Sequence, residues 1–311
     1  MDNTEAEITK LIKRLESLRE GDQAVNMLVA CGKIAIPYLR KYLLNGTPSH
    51  IYQPRQRAVI ALAQLGAKEV LMEYLSTPKN ISDPVIHFGE EAVENTAARL
   101  LANWQSDDVF ALLLRIAHER TLPGIIETLG LFRRPDSVPL FITALMDDIT
   151  RNAAENALKA VGEQAKPALM EVLKTHCYSE EIESPSHLLR CRSVMRILVD
   201  LPIEVTDWSI IEKLLHDNDP EISILAARLA LRIADREQKK TIIKRLIERI
   251  PFTNWCLDME IEDCLVEYYD VAKKEIEEQF LKCKARPVKE QAYDRVLQIL
   301  LHVQRRRSWM K

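Results

Sequence analysis

Histidine and cysteine are the residue types in this chain best suited to holding a metal, and His176, Cys177, His187 and Cys191 fall close together in the sequence. A zinc site gathers four such ligands, usually from paired spacings such as C-x-x-C. The six cysteines, at positions 31, 177, 191, 256, 264 and 283, form no such pair, and the four candidates match no familiar zinc spacing, so no metal or other cofactor is expected. Catalytic motifs are missing as well, with no Gly-rich phosphate loop, no G-x-S-x-G elbow and no H-E-x-x-H helix. What remains is binding chemistry. The stretch from Ser76 to Glu91 mixes turn residues with Val85, Ile86, His87 and Phe88. Those apolar groups either fold back on the rest of the chain or meet a partner, and the cost of an exposed apolar cluster favours folding back.

Helices must position these groups. A short signature recurs nine times at roughly 33-residue spacing: small or apolar at its first place, apolar at the fourth, fifth and eighth, and a turn residue at the ninth. Its clearest copies are Ala58, Ala61, Leu62, Leu65, Gly66 and Ala154, Ala157, Leu158, Val161, Gly162. The ninth places fall at Gly32, Gly66, Gln105, Gly130, Gly162, Pro202, Asp235, Tyr269 and Leu301. Apolar residues at those intervals share one face of a 3.6-residue helix, and glycine accepts the left-handed conformation that ends it. After the glycine, Ala35-Ile36-Pro37-Tyr38-Leu39 matches Ala165-Lys166-Pro167-Ala168-Leu169, with proline in the first turn of a second helix. Each copy is therefore expected to be a helical hairpin.

The full pattern, small-x-x-small-Leu-x-x-Leu-Gly-x-x-Ala-x-Pro-x-Leu, resembles the HEAT repeat, most closely the short bacterial form also found in phycobilin lyases. The resemblance is strong at residues 24–43, 58–75 and 154–173, fair at 122–145 and 219–247, and weak after about residue 255. It implies an all-α fold, a right-handed α-solenoid of about nine stacked hairpins, with residues 1–254 as seven repeats and 255–311 as divergent repeats or a cap. Such an array would be a curved rod on the order of 80 Å long, since packed helices lie about 8 to 10 Å apart. In HEAT arrays the second helices line the concave face. By that resemblance Arg40, Lys41, Arg115, His118, Lys174, Lys213, Lys244 and Arg245 would form a basic ridge, unless Glu73, Glu119, Glu171, Glu212 and Glu248 neutralise it.

Other conspicuous residues have structural readings. Cys31 and Cys264 occupy buried stripe places, and the cysteines read as small core residues in a reducing compartment. Asp219-Pro220 starts a helix, Trp208 begins another, and Asp136 caps the helix after the Arg133-Arg134 turn. Trp255 reads as a packing anchor. Connections at 45–56, 76–92 and 175–190 exceed a minimal hairpin link, and long loops in tight arrays often carry function.

Composition fits a helical chain: 311 residues, 47% hydrophobic and 29% charged, with eight glycines. The net charge of −3 is uneven, because residues from 236 onward carry 17 basic and 13 acidic side chains, a net +4 that leaves −7 before them. The basic part includes Arg305-Arg306-Arg307, and it is where a nucleic acid would bind if one does. The amino terminus lacks a signal-peptide layout and no apolar run approaches about 20 residues, so a soluble, cytoplasmic protein with no membrane contact is expected.

These features favour a non-catalytic scaffold or adaptor whose partner is another protein. Two related enzyme families fit poorly: deoxyhypusine hydroxylases need several His-Glu dipeptides, where only His118-Glu119 occurs, and phycobilin lyases need a pocket that no motif here marks. The alternative function is that of the HEAT-like DNA glycosylases, which excise alkylated bases with aromatic residues and a carboxylate. Trp104 and Asp108 would take those parts, although Trp104 falls on a core place and Ser106-Asp107-Asp108 resembles a helix cap.

Overall fold

The computed structural model describes residues 2–178, 184–284 and 291–309, and their regular structure is all helical, with no strand among the described residues. Contacts group the chain into two compact units, Met1–Val161 and Gly162–Lys311.

The first unit holds α1 (Asp2–Arg14), α2 (Gly21–Ala30), α3 (Ile36–Asn45), α4 (Gln53–Gln64), α5 (Lys68–Ser76), α6 (Pro84–Leu101), α7 (Asp107–Glu119), α8 (Pro123–Phe132), α9 (Val138–Ala144) and α10 (Arg151–Val161). Helices α2, α4, α6, α8 and α10 pack each on the next, and α1, α3, α5 and α7 do the same in a second row. The two rows share a core to which stripe residues such as Leu39, Leu43, Leu62, Leu71, Leu101 and Leu113 contribute. No single hairpin could bury these stripes alone, which is why neighbours stack.

The second unit holds α11 (Lys166–Tyr178), α12 (Pro185–Val199), α13 (Trp208–Leu214), α14 (Pro220–Ile233), α15 (Arg236–Arg249), α16 (Trp255–Glu267), α17 (Tyr269–Lys284) and α18 (Gln291–Trp309). Here α12, α14, α16 and α18 pack in series, α11 packs on α13, and α15 packs on α17. No helix among the described residues is long and apolar enough to cross a membrane.

Local chemistry accounts for the helix ends. Gly32, Gly66 and Gly162 have φ of 71°, 75° and 72°, the left-handed turn expected at the ninth place. Asp219 accepts from the N–H groups of Glu221 and Ile222, both at 3.0 Å, and starts α14 as expected. Asp235 caps α15 reciprocally with Gln238.

The fourth copy is different. Gly130 lies inside α8, where a Cβ would stand 2.7 Å from that of Ala157, and the left-handed turn falls three residues later on Arg133, with φ of 53°. Asp136 does not cap the next helix; it pairs with Arg134 at 3.0 Å. Leu301 is likewise no turn, since α18 runs straight through it. The long connections shrink to 46–52 and 77–83 because Pro54 and Pro84 sit in the first turns of their helices. The third lies partly outside the described residues.

Candidate functional site

Helix α6 carries two carboxylates on its buried stripe. Gly89, Glu90, Val93, Glu94, Ala97, Ala98 and Leu101 face inward, so Glu90 and Glu94, one turn apart, are buried with the apolar residues. Buried carboxylates need partners. Arg55 of α4 reaches Glu90 through Nε at 2.9 Å and Nη2 at 2.7 Å, and the same Nη2 donates to the Leu43 carbonyl at 2.8 Å. The Tyr74 hydroxyl donates to Glu90 at 2.6 Å. Glu94 accepts from Lys79 and from Arg120, whose Nη2 lies 2.8 Å away. The Lys79 ammonium also stands 3.9 Å from the centre of the Tyr74 ring.

Electrostatics follow from this burial. Loss of water, reinforced by Glu90, raises the Tyr74 hydroxyl above its ordinary pKa and keeps it a donor. Burial also lowers the Lys79 ammonium, with Glu94 opposing the shift. The network ties α4, α5, α6, the end of α7 and the 77–83 link together. A cavity of about 190 Å³ lies beside it, bordered by Gly46, Pro48, Asn80 and Ile81 from the two links.

The first turn of α6 precedes that network and has its own cap. Asp83 accepts from Val85 N–H at 2.8 Å and Ile86 N–H at 3.1 Å, and the bond from Ile86 chiefly holds its pKa below the carboxylate norm. Tyr52 packs against Gly89, where a Cβ would stand 3.2 Å away. Val85 and Phe88 do not fold back on the chain: they are 61% and 70% exposed, and Ile51, next to Tyr52, is 60% exposed. The inward face of α6 is already filled by the carboxylates and their partners, which leaves these side chains outside. Ile86 is half-buried, and His87 is exposed with Nε2 3.3 Å from Glu91.

The basic residues expected on second helices divide between the units, with Arg40, Lys41, Arg115 and His118 in the first and Lys174, Lys213, Lys244 and Arg245 in the second. All are exposed except Arg245, which is half-buried. Several are answered locally, Arg40 by Glu73 at 2.7 Å, Arg115 by Glu119 at 3.2 Å and Lys174 by Glu171 at 3.5 Å. The basic carboxy-terminal part is answered too, since Arg306 contacts Glu262 and Asp263, both at 2.9 Å, and Arg295 contacts Asp258 at 2.8 Å.

Other candidates do not assemble. His176 pairs with Asp217 at 2.6 Å, Cys191 is buried and His187 is exposed, and no three metal-ligating side chains converge among the described residues. Burial raises the Cys177 thiol above its usual pKa, which is the wrong direction for a nucleophile. Cys256 is exposed rather than a core residue, and Trp255, 72% exposed, is not a packing anchor because it opens α16 on the outside. Trp104 is half-buried past the end of α6, and Asp108 is exposed and pairs with Lys68 at 2.7 Å. That lysine holds the Asp108 pKa down to about 2.

Sequence reasoning missed Arg55, Tyr74, Lys79, Glu90, Glu94 and Arg120. The available signal was glutamate at two successive stripe places of α6. A scan against models of protein families finds none that matches this chain, and a search of curated proteins finds no match.

Proposed function

We propose that the chain is a non-catalytic, protein-binding scaffold or adaptor built of stacked HEAT-like hairpins, and that it docks its partner on the first turn of α6. The observation that carries this reading is the exposure of Val85 and Phe88 at the start of a helix whose inner face is bonded through Glu90 to Arg55 and Tyr74. Large apolar side chains left in water at a pre-organised position are what a docking surface offers, because their burial drives association and little ordering cost remains. The serial packing of alternate helices within each unit supports the repeat reading. The glycosylase-type alternative draws no support from Asp108, since an exposed carboxylate neutralised by Lys68 has little field left for a developing sugar cation.

Phe88→Asp tests the proposal. Recovery of binding proteins from native lysate, by nuclease-treated capture and mass spectrometry, should lose a discrete protein with this variant while thermal unfolding stays within about 0.5 kcal/mol of the parent. Capture unchanged by Phe88→Asp and Val85→Asp would sink the assignment of this turn.

A further inference from the structure

A cleft in the second unit has the makings of a ligand site distinct from the α6 turn. It lies beside α15, with the end of α13 on its other side and α14 beneath. Helix α13 ends at Leu214, and the next two residues, Leu215 and His216, line the opening opposite α15. The opening measures about 520 Å³, within the range of roughly 300 to 1,000 Å³ typical of small-ligand pockets.

Two arginines border it. Arg245 and Arg249 are one turn apart on α15 and so share a face. Arg245 Nη1 lies 2.8 Å from Nε2 of His216, and Arg249 Nη2 donates to the Asp217 carbonyl at 3.2 Å. Neither has a carboxylate within ion-pair distance among the described residues. Elsewhere in the same unit Arg192, Arg196 and Arg228 end on carboxylates, whereas Arg232 ends on the Leu201 carbonyl. Arg245, placed against an imidazole instead, keeps most of its donors and its charge for something else, while Arg249 keeps donors free but also acts on the nearby Asp217 carboxylate. Apart from Ser223, His216 and Glu248 the rest of the lining is apolar, with Ile224, Ala227 and Leu246 among it and Phe252, 80% exposed, at the rim.

We propose that this cleft binds an organic anion, with a phosphate or carboxylate head between Arg245 and Arg249 and a ring-sized apolar body over Leu246 and Phe252. The head takes charge-assisted, fork-shaped hydrogen bonds, and the body covers apolar surface that water now wets. Glu248 also borders the cleft and repels any anion, so the head must sit where the two arginines outweigh it. Of the basic residues expected on second helices, Arg245 belongs to this site. The proposal stands without the α6 turn.

Calorimetric titration of the full chain with phenyl phosphate tests it. Saturable binding is expected, weakened about tenfold or more by Arg245→Gln or Arg249→Gln, as loss of one charged hydrogen bond of about 1.5 kcal/mol or more requires. Arg236→Gln, on the same helix but outside the cleft, should bind as the parent does. Because Arg249 also holds the Asp217 carbonyl, Phe252→Ser gives a check free of folding effects: phenyl phosphate should weaken and inorganic phosphate should not. A capped Glu-Glu-Phe-Glu peptide that binds more tightly than phenyl phosphate would place the anion on a polypeptide, and the reverse would place it on a free small molecule. Inorganic phosphate binding as tightly as phenyl phosphate, or affinity unchanged by Arg245→Gln and Phe252→Ser, would overturn the proposal.

Discussion

Glu90 sits on the core stripe of α6 with its charge matched by Arg55 and one oxygen also bonded to Tyr74, and this arrangement decides what single substitutions cost. Both members of the ion pair are almost wholly buried, so removing one strands the other out of water. Glu90→Gln should therefore destabilise the first unit by about 3 to 5 kcal/mol. Tyr74→Phe removes one hydrogen bond to a charged group and should cost about 1.5 to 3 kcal/mol. The double replacement Arg55→Met with Glu90→Leu should recover part of the loss, since no uncompensated charge then remains. Urea denaturation of the three variants checks this, and a near-neutral Glu90→Gln would mean that water reaches the pair. Sequence could have hinted at the network through Glu90 and Glu94 alone. Their partners come from positions 55, 74, 79 and 120, which meet only when α4 and α5 are packed against α6 and the end of α7 comes beside it, and no local spacing records that meeting.

Helix ends show where periodicity can be read and where it slips. Gly32, Gly66 and Gly162 were legible because a left-handed turn must fall where the apolar stripe stops, and glycine marks the spot. Gly130 carries the same residue type for another reason. It lets α8 approach α10 at Ala157, so the helix continues past it and the turn moves to Arg133. The two kinds of glycine predict opposite contributions from backbone and packing. Gly66→Ala should cost about 1 to 2 kcal/mol through left-handed strain alone, because nothing lies within 4 Å of the added Cβ, and Gly66→Asn should cost less. Gly130→Ala gains helix propensity but overpacks against Ala157, for a net cost of about 1 to 3 kcal/mol that Ala157→Gly should relieve. If Ala157→Gly brings no relief, the close approach of α8 and α10 is not what fixes Gly130. The same confusion of period with packing hid the first turn of α6, where Pro84 starts a helix inside what composition presents as a loop.

Across the whole chain, the charged groups favoured by folding set the acid limit. Burial alone would raise the pKa of Asp217, but the bonds from His176 and from the Asp219 N–H outweigh it and lower the value; Lys68 lowers Asp108 and Arg40 lowers Glu73. A carboxylate whose folded pKa lies below its unfolded one stabilises above the unfolded value and loses that contribution as pH falls through the folded one. The urea midpoint should therefore fall below about pH 4, the ordinary carboxylate range. A midpoint unchanged at about pH 3 would mean these bonds do not persist in solution. The units themselves give the last test. Within Met1–Val161 each helix of a row packs on its neighbour in that row, so the stabilising contacts are short in range along the stack. A fragment of residues 1–161 should then fold by itself, with a cooperative urea transition and the helical signal of its share of the chain. Leu62→Ala, fully buried, should cost about 2 to 5 kcal/mol in the fragment and the same in the full chain. A fragment that is helical but melts without cooperativity would show that residues beyond Val161 are needed to close the core. Equal losses in both contexts would show that the first unit carries its own core and that the network around Glu90 needs nothing outside it.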